Sequence, residues 1–566
     1  MKNKTLLKFL SAAFLLPFFS YSQESTIPDN RFQESKNEKP DDPYLPNASG
    51  NKKLSPAYRY DNRSRLRTTG TGIIIHQVNV DSSQQNISGD AANEPNIAVN
   101  PLNENEIVIG WRQFDNVVSN FRQAGWAYSS DGGQTWTFPG SINPGVFKSD
   151  PVLDCDNSGN FYYNSLVSTP STLPCYVYKS INSGVSWNNG VYIGGGDKQG
   201  MTIDRSGGIG DGNIYSNWTS STSDCAPGFF TRSTNGGNNF DTCSTIPDEP
   251  FWGSQAVGNN GELYVCGASP FTAAVKVAKS LDAQNPSLVP TWTTVSTANL
   301  GGFITSSTPI NPVGLTGQIY IDVDRSNGPG RDNVYVVGSV QPYLNSDPAD
   351  VKFNKSTNGG ITWMTPPLKI NDDTDTTNTQ WLATMSVAPN GRIDVIWLDT
   401  RDNPGSDSSA LYYSYSTDQG NTWSANEKLS DSFDPHTGYP NQPKMGDYFD
   451  MVSNNTGVHL AWVNTFNGEQ DVYYSIITPP ALIDIDDVSG NFNISVHPNP
   501  TNGLFEISCD KKVRAEIFTT IGKKVLSTSV FNTKQVIDIS SQSAGIYFLK
   551  LISDDGQATV KKIIRE

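Results

Sequence analysis

The stretch YSTDQGNTW, residues 415–423, decides the fold. It follows the pattern S-x-D-x-G-x-T-W, with Ser416, Asp418, Gly420 and Trp423 at four of the defined positions. The Asp418 carboxylate can accept bonds from the backbone amides that follow it, and Gly420 permits a left-handed backbone. The Thr-Trp pair then begins the outgoing strand with β-branched and aromatic bulk. The pattern therefore predicts a tight turn between two antiparallel strands.

The same turn occurs at five other places in the chain. Copies begin at Ser129 (SSDGGQTW), Ser180 (SINSGVSW), Ser233 (STNGGNNF), Ser280 and Ser356 (STNGGITW). The copy at Ser280 delays its tryptophan to Trp292. The turn-forming position is held by Asp131, Asn182, Asn235, Asp282, Asn358 and Asp418. We expect these six side chains to be structural.

A second repeat lies out of phase with the first and consists of an apolar strand, a Gly/Asn turn and an aromatic-rich strand. Its seven copies begin at Glu94, Asp150, Gly200, Trp252, Ile319, Trp381 and Tyr448. Together the two repeats give units of four antiparallel strands, the pattern of an all-β propeller. The seventh unit lacks its fourth strand, and TGIIIHQVNV (71–80) can fill that place. This predicts seven blades, with six blades as the alternative because six Asp-turns are present.

The chain divides into five parts by composition. A basic start and a short apolar run predict a secretory signal peptide at 1–22. Residues 23–70 are polar and are expected to be disordered or removed. The propeller follows at 71–478, a Pro-containing acidic linker at 479–493, and a small β-sandwich of short alternating strands at 494–566.

Charge and cysteine usage agree with export. The formal net charge of −16 argues against a nucleic-acid binder, which needs a basic stripe. No segment after the signal peptide is predicted to span a membrane. Cys225 and Cys243 flank one predicted hairpin and are the expected disulfide pair, while no cysteine or histidine spacing indicates a metal site.

Strand direction assigns the candidate ligand site to one face of the ring. The Asp-turns join strands 3 and 4, so they share a face with the strand 1 to 2 turns, which we name face B. The opposite face, face A, collects the starts of strand 1 and the ends of strand 2 around the central channel. The candidate ligand-binding residues there are Glu94, Arg112, Asp150, Asp197, Glu249, Trp252, Trp381, Arg401, Asp447 and Tyr448.

Carboxylates, arginines and aromatic rings at a channel mouth suit a polar ligand such as a sugar. The alternative is that these residues cap strand ends or line a water-filled channel. No cofactor is expected. The run Asp372-Asp373-Thr374-Asp375 and the run Asp484-Ile485-Asp486-Asp487 offer oxygen ligands for calcium, although solvated loop and linker are the simpler interpretations.

The six turns resemble the Asp-box, or BNR repeat, of sialidase-like β-propellers. The resemblance covers about 90–480 and implies the fold, because Asp-boxes occur in enzymes and in non-enzymes. A sialidase also needs an arginine triad and an Arg-Ile-Pro motif. That motif is absent, and the spacing of Arg112, Arg122 and Arg401 does not require them to converge. Whether the chain is an enzyme is left open.

The C-terminal part resembles the type A sorting domain of the Bacteroidetes type IX secretion system. The matching segments are HPNPTNGLFEIS (497–508), AEIFTTIGKKV (515–525), DISSQSAGIYFLKL (538–551) and KKIIRE (561–566). The resemblance implies the type IX machinery as a partner, with passage through the periplasm to the outer surface or the medium.

These features predict a secreted or surface-displayed protein that recognises an extracellular glycan or glycoprotein. A glycoside hydrolase of sialidase-like fold and a protein-binding adhesin or scaffold are the two alternatives.

Overall fold

The computed structural model describes residues 42–47, 55–63, 70–270, 274–343, 345–480, 494–519, 523–531, 533–553 and 558–566. The predicted signal peptide, most of the linker and the second acidic run lie outside these residues. The chain divides into two compact units, Met1–Thr478 and Pro479–Glu566. Among the described helices, none has the length and apolar character needed to cross a membrane.

The first unit is built from antiparallel sheets that follow one another along the chain. Two strands precede them, β1 (Arg59–Asp61) and β2 (Gly72–Gln77). Sheet 1 comprises β3 (Ala91–Val99), β4 (Ile107–Phe114), β5 (Gln123–Ser129) and β6 (Thr137–Ile142). Sheet 2 comprises β7 (Lys148–Cys155), β8 (Phe161–Val167), β9 (Cys175–Ser180) and β10 (Val191–Tyr192). Sheet 3 comprises β11 (Gly200–Ile203), β12 (Ile214–Asn217) and β13 (Phe230–Ser233). A 3-10 helix lies at Ser220–Thr222.

Four further sheets complete the series. Sheet 4 comprises β14 (Gln255–Val257), β15 (Leu263–Ala268), β16 (Val275–Ser280) and β17 (Thr294–Thr297). Sheet 5 comprises β18 (Gly302–Phe303), β21 (Tyr320–Val323), β22 (Val334–Pro342), β23 (Asp350–Ser356) and β24 (Leu368–Lys369), and the hairpin β19 (Ser306–Thr308) and β20 (Asn311–Leu315) is inserted after β18.

Sheet 6 comprises β25 (Gln380–Val387), β26 (Ile393–Asp399), β27 (Ala410–Ser416) and β28 (Glu427–Lys428), and sheet 7 comprises β29 (Asp450–Ser453), β30 (Val458–Asn464) and β31 (Asp471–Thr478) with β2 and β1.

The sheets close into a ring. Their first strands contact one another in the order β3, β7, β11, β14, β21, β25 and β29, and β29 contacts β3. Strand β2 pairs antiparallel with β31, with Ile74 opposite Ile476. It therefore supplies the fourth strand that the seventh repeat unit lacks, as predicted. The all-β propeller fold is therefore confirmed, and the seven described sheets favour seven blades over six.

The Asp-turns have the predicted hydrogen bonds. In the turn at 416–423, the Gly420 amide donates to Ser416 Oγ at 2.9 Å, and the Thr422 amide donates to Asp418 Oδ1 at 2.8 Å. Gly420 has a φ of 72°, and a Cβ there would meet the Phe353 ring of sheet 5 at 2.4 Å. Each turn of this type thus forms a tight loop and also packs against the preceding sheet.

The interrupted copy at Ser280 keeps the same bonds. Its extra residues loop out, and Thr291 then donates from its amide to Asp282 Oδ1 at 2.8 Å and from its hydroxyl to Oδ2 at 2.6 Å. Cys225 and Cys243 form the predicted disulfide.

Two sequence expectations need correction, and one element was not expected. Residues 59–61, placed in a disordered stretch, form β1 on the outer edge of sheet 7 because Tyr60 pairs with Ile75. The fourth strand of sheet 3 is reduced to a single bridge between Phe230 and Ser244. The hairpin β19–β20 was not expected, because its polar, proline-containing sequence has no clear strand alternation.

The second unit is the predicted β-sandwich. One sheet has the order β32 (Ile494–His497), β33 (Leu504–Cys509) and β36 (Lys534–Asp538); the other has the order β35 (Lys524–Ser527), β34 (Val513–Thr519), β37 (Gly545–Ser553) and β38 (Ala558–Arg565). Ile507 and Ile537 of the first sheet share one core with Ile517 and Leu549 of the second.

Candidate functional site

The start of each first strand has an unusual backbone. A residue with positive φ lies at this point in every described sheet of the ring: Glu94, Asp150, Lys198, Trp252, Gly317, Leu382 and Gly446. The strand register is interrupted at the same place in sheets 1, 2 and 6. A left-handed non-glycine residue is uncommon, so the surrounding contacts must hold it.

For Glu94, Asp150 and Lys198, those contacts come from a buried charge cluster at the face A end of the channel. It consists of Glu94, Arg112, Asp150, Asp197, Lys198, Lys444 and Asp447, whose side chains are at most 3% exposed. Lys198 Nζ reaches from sheet 3 to Asp447 Oδ2 beside sheet 7 at 2.7 Å. Lys444 Nζ lies 2.6 Å from the same oxygen and 2.9 Å from Glu94 Oε1. Arg112 Nε lies 3.2 Å from Glu94 Oε2.

Two carboxyl groups of this cluster, Glu94 and Asp447, have pKa values shifted in opposite directions. Burial raises the pKa of Glu94 to about 8, against the opposing influence of Arg112 and Lys444. Burial alone would also raise the pKa of Asp447, but Lys198 and Lys444 hold it well below its usual value. The cluster contains three cations and four carboxyl groups, so its charges balance when Glu94 keeps its proton.

A cap formed by the hairpin β19–β20 and residues 436–447 covers this end. Leu315 donates its amide to Asp447 Oδ1 at 2.9 Å. Asn311 donates to the Gly446 carbonyl at 2.8 Å and accepts from the Met445 amide at 2.9 Å. Because sheet 5 supplies the hairpin and sheet 7 follows the other segment, the cap connects two non-adjacent sheets across the channel end.

The structure therefore brings together five of the ten predicted ligand residues, Glu94, Arg112, Asp150, Asp197 and Asp447, but encloses them. Their tight pairing matches the strand-capping alternative better than an open binding site. Tyr448 is also buried and donates its hydroxyl to the Pro151 carbonyl at 2.9 Å.

The remaining predicted residues lie elsewhere. Trp252 is buried against Phe251 at a ring separation of 4.7 Å, and Glu249 accepts a bond from Ser220 Oγ at 2.5 Å. Trp381 is fully buried and donates to Ser409 Oγ at 3.0 Å. The structure places Trp381 in the hydrophobic core and not in the channel lining.

Arg401 belongs to a separate acidic group on sheets 5 and 6. Its guanidinium lies 2.6 Å from Asp372, 2.8 Å from Asp399 and 3.5 Å from Asp373. Asp372 and Asp373 therefore have a cationic partner already. Within the described ranges, no group of three or more His, Cys, Asp or Glu side chains is arranged to hold a metal ion.

The arginine triad that a sialidase needs is not assembled. Arg112 lies in the buried cluster, and Arg401 lies among the aspartates of sheets 5 and 6. Arg122 donates from Nε to Ser149 Oγ at 3.0 Å and from Nη1 to Asn120 Oδ1 at 2.8 Å, under the Phe147 ring. Each arginine thus has its own set of partners.

The open part of the channel begins beyond the buried charge cluster. It is a cavity of about 470 Å³ lined by residues from the first strand of every sheet in the ring. Towards face B the lining includes Arg205 and Arg325, whose side chains are 39% and 40% exposed. The channel is therefore accessible from face B, the face of the Asp-turns, and not from face A as the sequence predicted.

Hydrogen bonds between neighbouring first strands form two tiers along the channel wall. In the tier nearer face B, Asp154, Asp322 and Ser386 accept from the backbone amides of Ile203, Val387 and Ser453. In the deeper tier, Asn96, Ser254 and Asp450 accept from those of Leu153, Ile321 and Ile97. Each bond joins one sheet to the next, so these side chains hold the ring together from inside.

Sequence reasoning missed these channel residues. The signal was present, since Asp154, Asp322 and Asp450 alternate with apolar residues on short strands such as IYIDVD (319–324). An aspartate is unfavourable in a strand interior unless a hydrogen bond or a functional contact compensates. Such positions could have been identified as channel-facing.

The chain is similar at a distance to several solved structures. A protein of unknown function from Dyadobacter fermentans shares 13% identity at a TM-score of 0.42, with 72% of this chain and 99% of that chain covered. The phage phi92 endosialidase shares 10% identity at a TM-score of 0.40, with 90% of each chain covered. The Trypanosoma rangeli sialidase in complex with the inhibitor DANA shares 10% identity at a TM-score of 0.35, with 90% of this chain and 89% of that chain covered. These likenesses are too distant to indicate a function.

The C-terminal unit has a clear family relationship, although no curated protein matches the chain. Residues 495–566 match the family model described as the secretion system C-terminal sorting domain. This agrees with the segments that resemble type IX sorting domains. The match identifies the C-terminal unit as a type IX sorting domain and the protein as one exported to the cell surface or secreted.

Proposed function

We propose that the ring binds an extracellular glycan in its central channel, and that the glycan enters from face B. The observation that carries this proposal is the cavity of about 470 Å³ with charged side chains at its open end. A volume of this size is in the range of small-ligand sites. The proposal keeps the ligand class expected from the sequence but moves the site to the opposite face.

The chemistry of the open end suits hydroxyl groups. Arg325 Nη1 lies 2.8 Å from Asp322 Oδ1, and Arg205 pairs with Asp154. Each pair is part exposed, so it retains free donors and acceptors that can bind vicinal hydroxyls in place of water. Tyr320, half-buried deeper in the channel, offers an aromatic surface for a sugar ring.

The test is glycan-array binding by the secreted full-length protein, compared with the double variant Arg205→Gln, Arg325→Gln. The wild type is expected to bind a defined set of glycans, and the double variant to lose about tenfold or more in affinity. Arg331→Gln is the matched control, because Arg331 lies in the same loop as Arg325 but outside the channel lining. A blank array for the wild type, or equal loss in the control, would overturn the proposal.

Glycoside hydrolysis is the second candidate function. Asp154 and Asp450 line the same channel, and only Asp154 has an arginine partner, so the two carboxyl groups have different environments. Hydrolysis of a panel of aryl glycosides, including a sialoside, tests this candidate. Turnover that Asp450→Asn abolishes would support it, and no turnover on any substrate would count against it.

A further inference from the structure

Asp450 is the deepest of the carboxylates that line the described part of the channel. Asp450 stands at the start of β29 and uses one oxygen to accept the Ile97 amide at 3.1 Å. Counted from the face B turns, it lies two residues, or about 7 Å, deeper than Asp154 and Asp322. The part of the chain that the structure describes shows no cationic partner for it.

The two aspartates of the upper tier have such partners. Asp154 pairs with Arg205, and Asp322 pairs with Arg325 at 2.8 Å. All three aspartates make the same kind of bond to a neighbouring first strand. Asp450 therefore differs from Asp154 and Asp322 in having no cationic partner among the described residues. The hydrogen bond that it makes to the neighbouring first strand does not require this difference, because the other two aspartates make the same bond.

The surroundings of Asp450 suit a positively charged group. The Tyr320 hydroxyl donates to the carbonyl of Phe449, the residue before Asp450, so this aromatic side chain lies beside the carboxylate. A carboxylate next to an aromatic ring is a favourable site for an ammonium ion. Burial raises the pKa of Asp450 to about 7, and the negative charge of Asp154 contributes in the same direction.

The other titratable groups of the channel do not supply that charge. The lining contains Glu104, Asp154, Arg205, Tyr320, Asp322, Arg325, Tyr448 and His459. Both arginines are paired with aspartates of the upper tier. Burial lowers the pKa of His459 to about 4, so its imidazole is neutral near pH 7.

We infer that the channel ligand is a glycan with a free amino group, whose ammonium is held by Asp450 beside Tyr320. The inference rests on the proposed function, because it assumes that the channel is the glycan site. It narrows the ligand class to amino sugars without an N-acetyl group.

The test is isothermal titration of the full-length protein with two matched probes, a glucosamine tetramer and an N-acetylglucosamine tetramer. The wild type is expected to prefer the free amine by about 10- to 100-fold, the usual effect of a hydrogen bond to a charged group. Asp450→Asn keeps an oxygen for the Ile97 amide and is expected to lose the preference. Asp372→Asn, which removes a carboxylate outside the channel, is expected to keep it.

A pH series on the wild type provides a readout that does not depend on a variant. Affinity for the amine should rise from pH 5 towards pH 7 as Asp450 loses its proton, and should fall again at higher pH as the sugar ammonium loses its own proton. Affinity for the acetylated tetramer should change little. A flat profile for the amine, or a preference retained by Asp450→Asn, would overturn the inference.

Two results separate this inference from the proposal beneath it. If the acetylated tetramer or other neutral glycans bind in the channel without any preference for amines, the proposed function stands and the amino-sugar assignment fails. If oligolysine binds as tightly as the glucosamine tetramer with the same dependence on Asp450, the site recognises ammonium groups of proteins, and the glycan assignment is wrong.

Discussion

The two ends of the channel contain the same kinds of charged groups in opposite environments. At the face A end, Lys198 and Asp447 are fully enclosed, and the cap of β19–β20 and residues 436–447 lies over them. At the face B end, the side chains of Arg205 and Arg325 are about two-fifths exposed. A buried pair has lost its hydration and must keep its partner, whereas an exposed pair can exchange its partner for a ligand. Burial thus distinguishes an enclosed structural group from a group that stays accessible to solvent, which residue type alone does not.

The largest expected effect comes from removing the shared anion of the closed end. Asp447→Ala leaves Lys198 and Lys444 buried without their nearest carboxylate, and should lower the free energy of unfolding by about 3–5 kcal/mol. Chemical denaturation at pH 7 measures it. The matched change at the open end, Asp322→Ala, should cost clearly less, and equal losses at both ends would contradict the contrast.

A smaller effect is expected in the pH dependence of stability. The pKa of Glu94 in the folded protein is raised to about 8. The contribution of Glu94 to the free energy of unfolding is therefore complete below its unfolded-state pKa of 4.5 and is lost as the pH rises towards 8. One proton corresponds to a slope of up to about 1.4 kcal/mol per pH unit. Glu94→Gln should therefore flatten the stability profile between pH 5 and pH 8.

The profile of Glu94→Gln is measured by denaturation at several pH values. Asp447 does not interfere, because its folded pKa is depressed and its contribution changes only below pH 4. A variant that loses stability with rising pH as steeply as the wild type would show that Glu94 is already ionised in the folded protein.

The smallest effect should come from the open end. Arg325→Gln removes an exposed partner of Asp322 and is expected to change the free energy of unfolding by less than about 1 kcal/mol. Thermal unfolding of the variant provides the measurement. A loss of several kcal/mol would mean that the open-end pairs are as structural as the buried charge cluster.

Local sequence predicted the scaffold well because the decisive contacts are local. The Asp418 turn is formed by residues within four positions of one another, and its hydrogen bonds follow from residue type alone. The position of β2 was also predictable, since the seventh repeat unit lacks a fourth strand and the strand predicted at 71–80 belongs to no other unit. The disulfide between Cys225 and Cys243 joins segments 18 residues apart.

The site could not be predicted in the same way because it depends on distant segments. Glu94 and Asp150 were correctly placed at the starts of first strands. Their accessibility, however, is decided by a hairpin and a loop more than 100 residues away in the chain, through bonds such as that from Asn311 to Gly446. No pattern around Glu94 indicates that cap. Trp381 shows a second limit, because the register interruption between Trp381 and Thr384 changes which residues face the core, and the sequence does not indicate it.

The pairing of β2 with β31 has a consequence for the kinetics of folding and for aggregation. The two strands are separated by almost the whole ring, so their pairing closes a loop of about 400 residues, from Ile74 to Ile476. Contacts of such long sequence separation form slowly. Until then β31 presents an unpaired edge to other chains, which is a template for intermolecular pairing. Strand β2 therefore both completes sheet 7 and covers the edge of β31 against pairing with other chains.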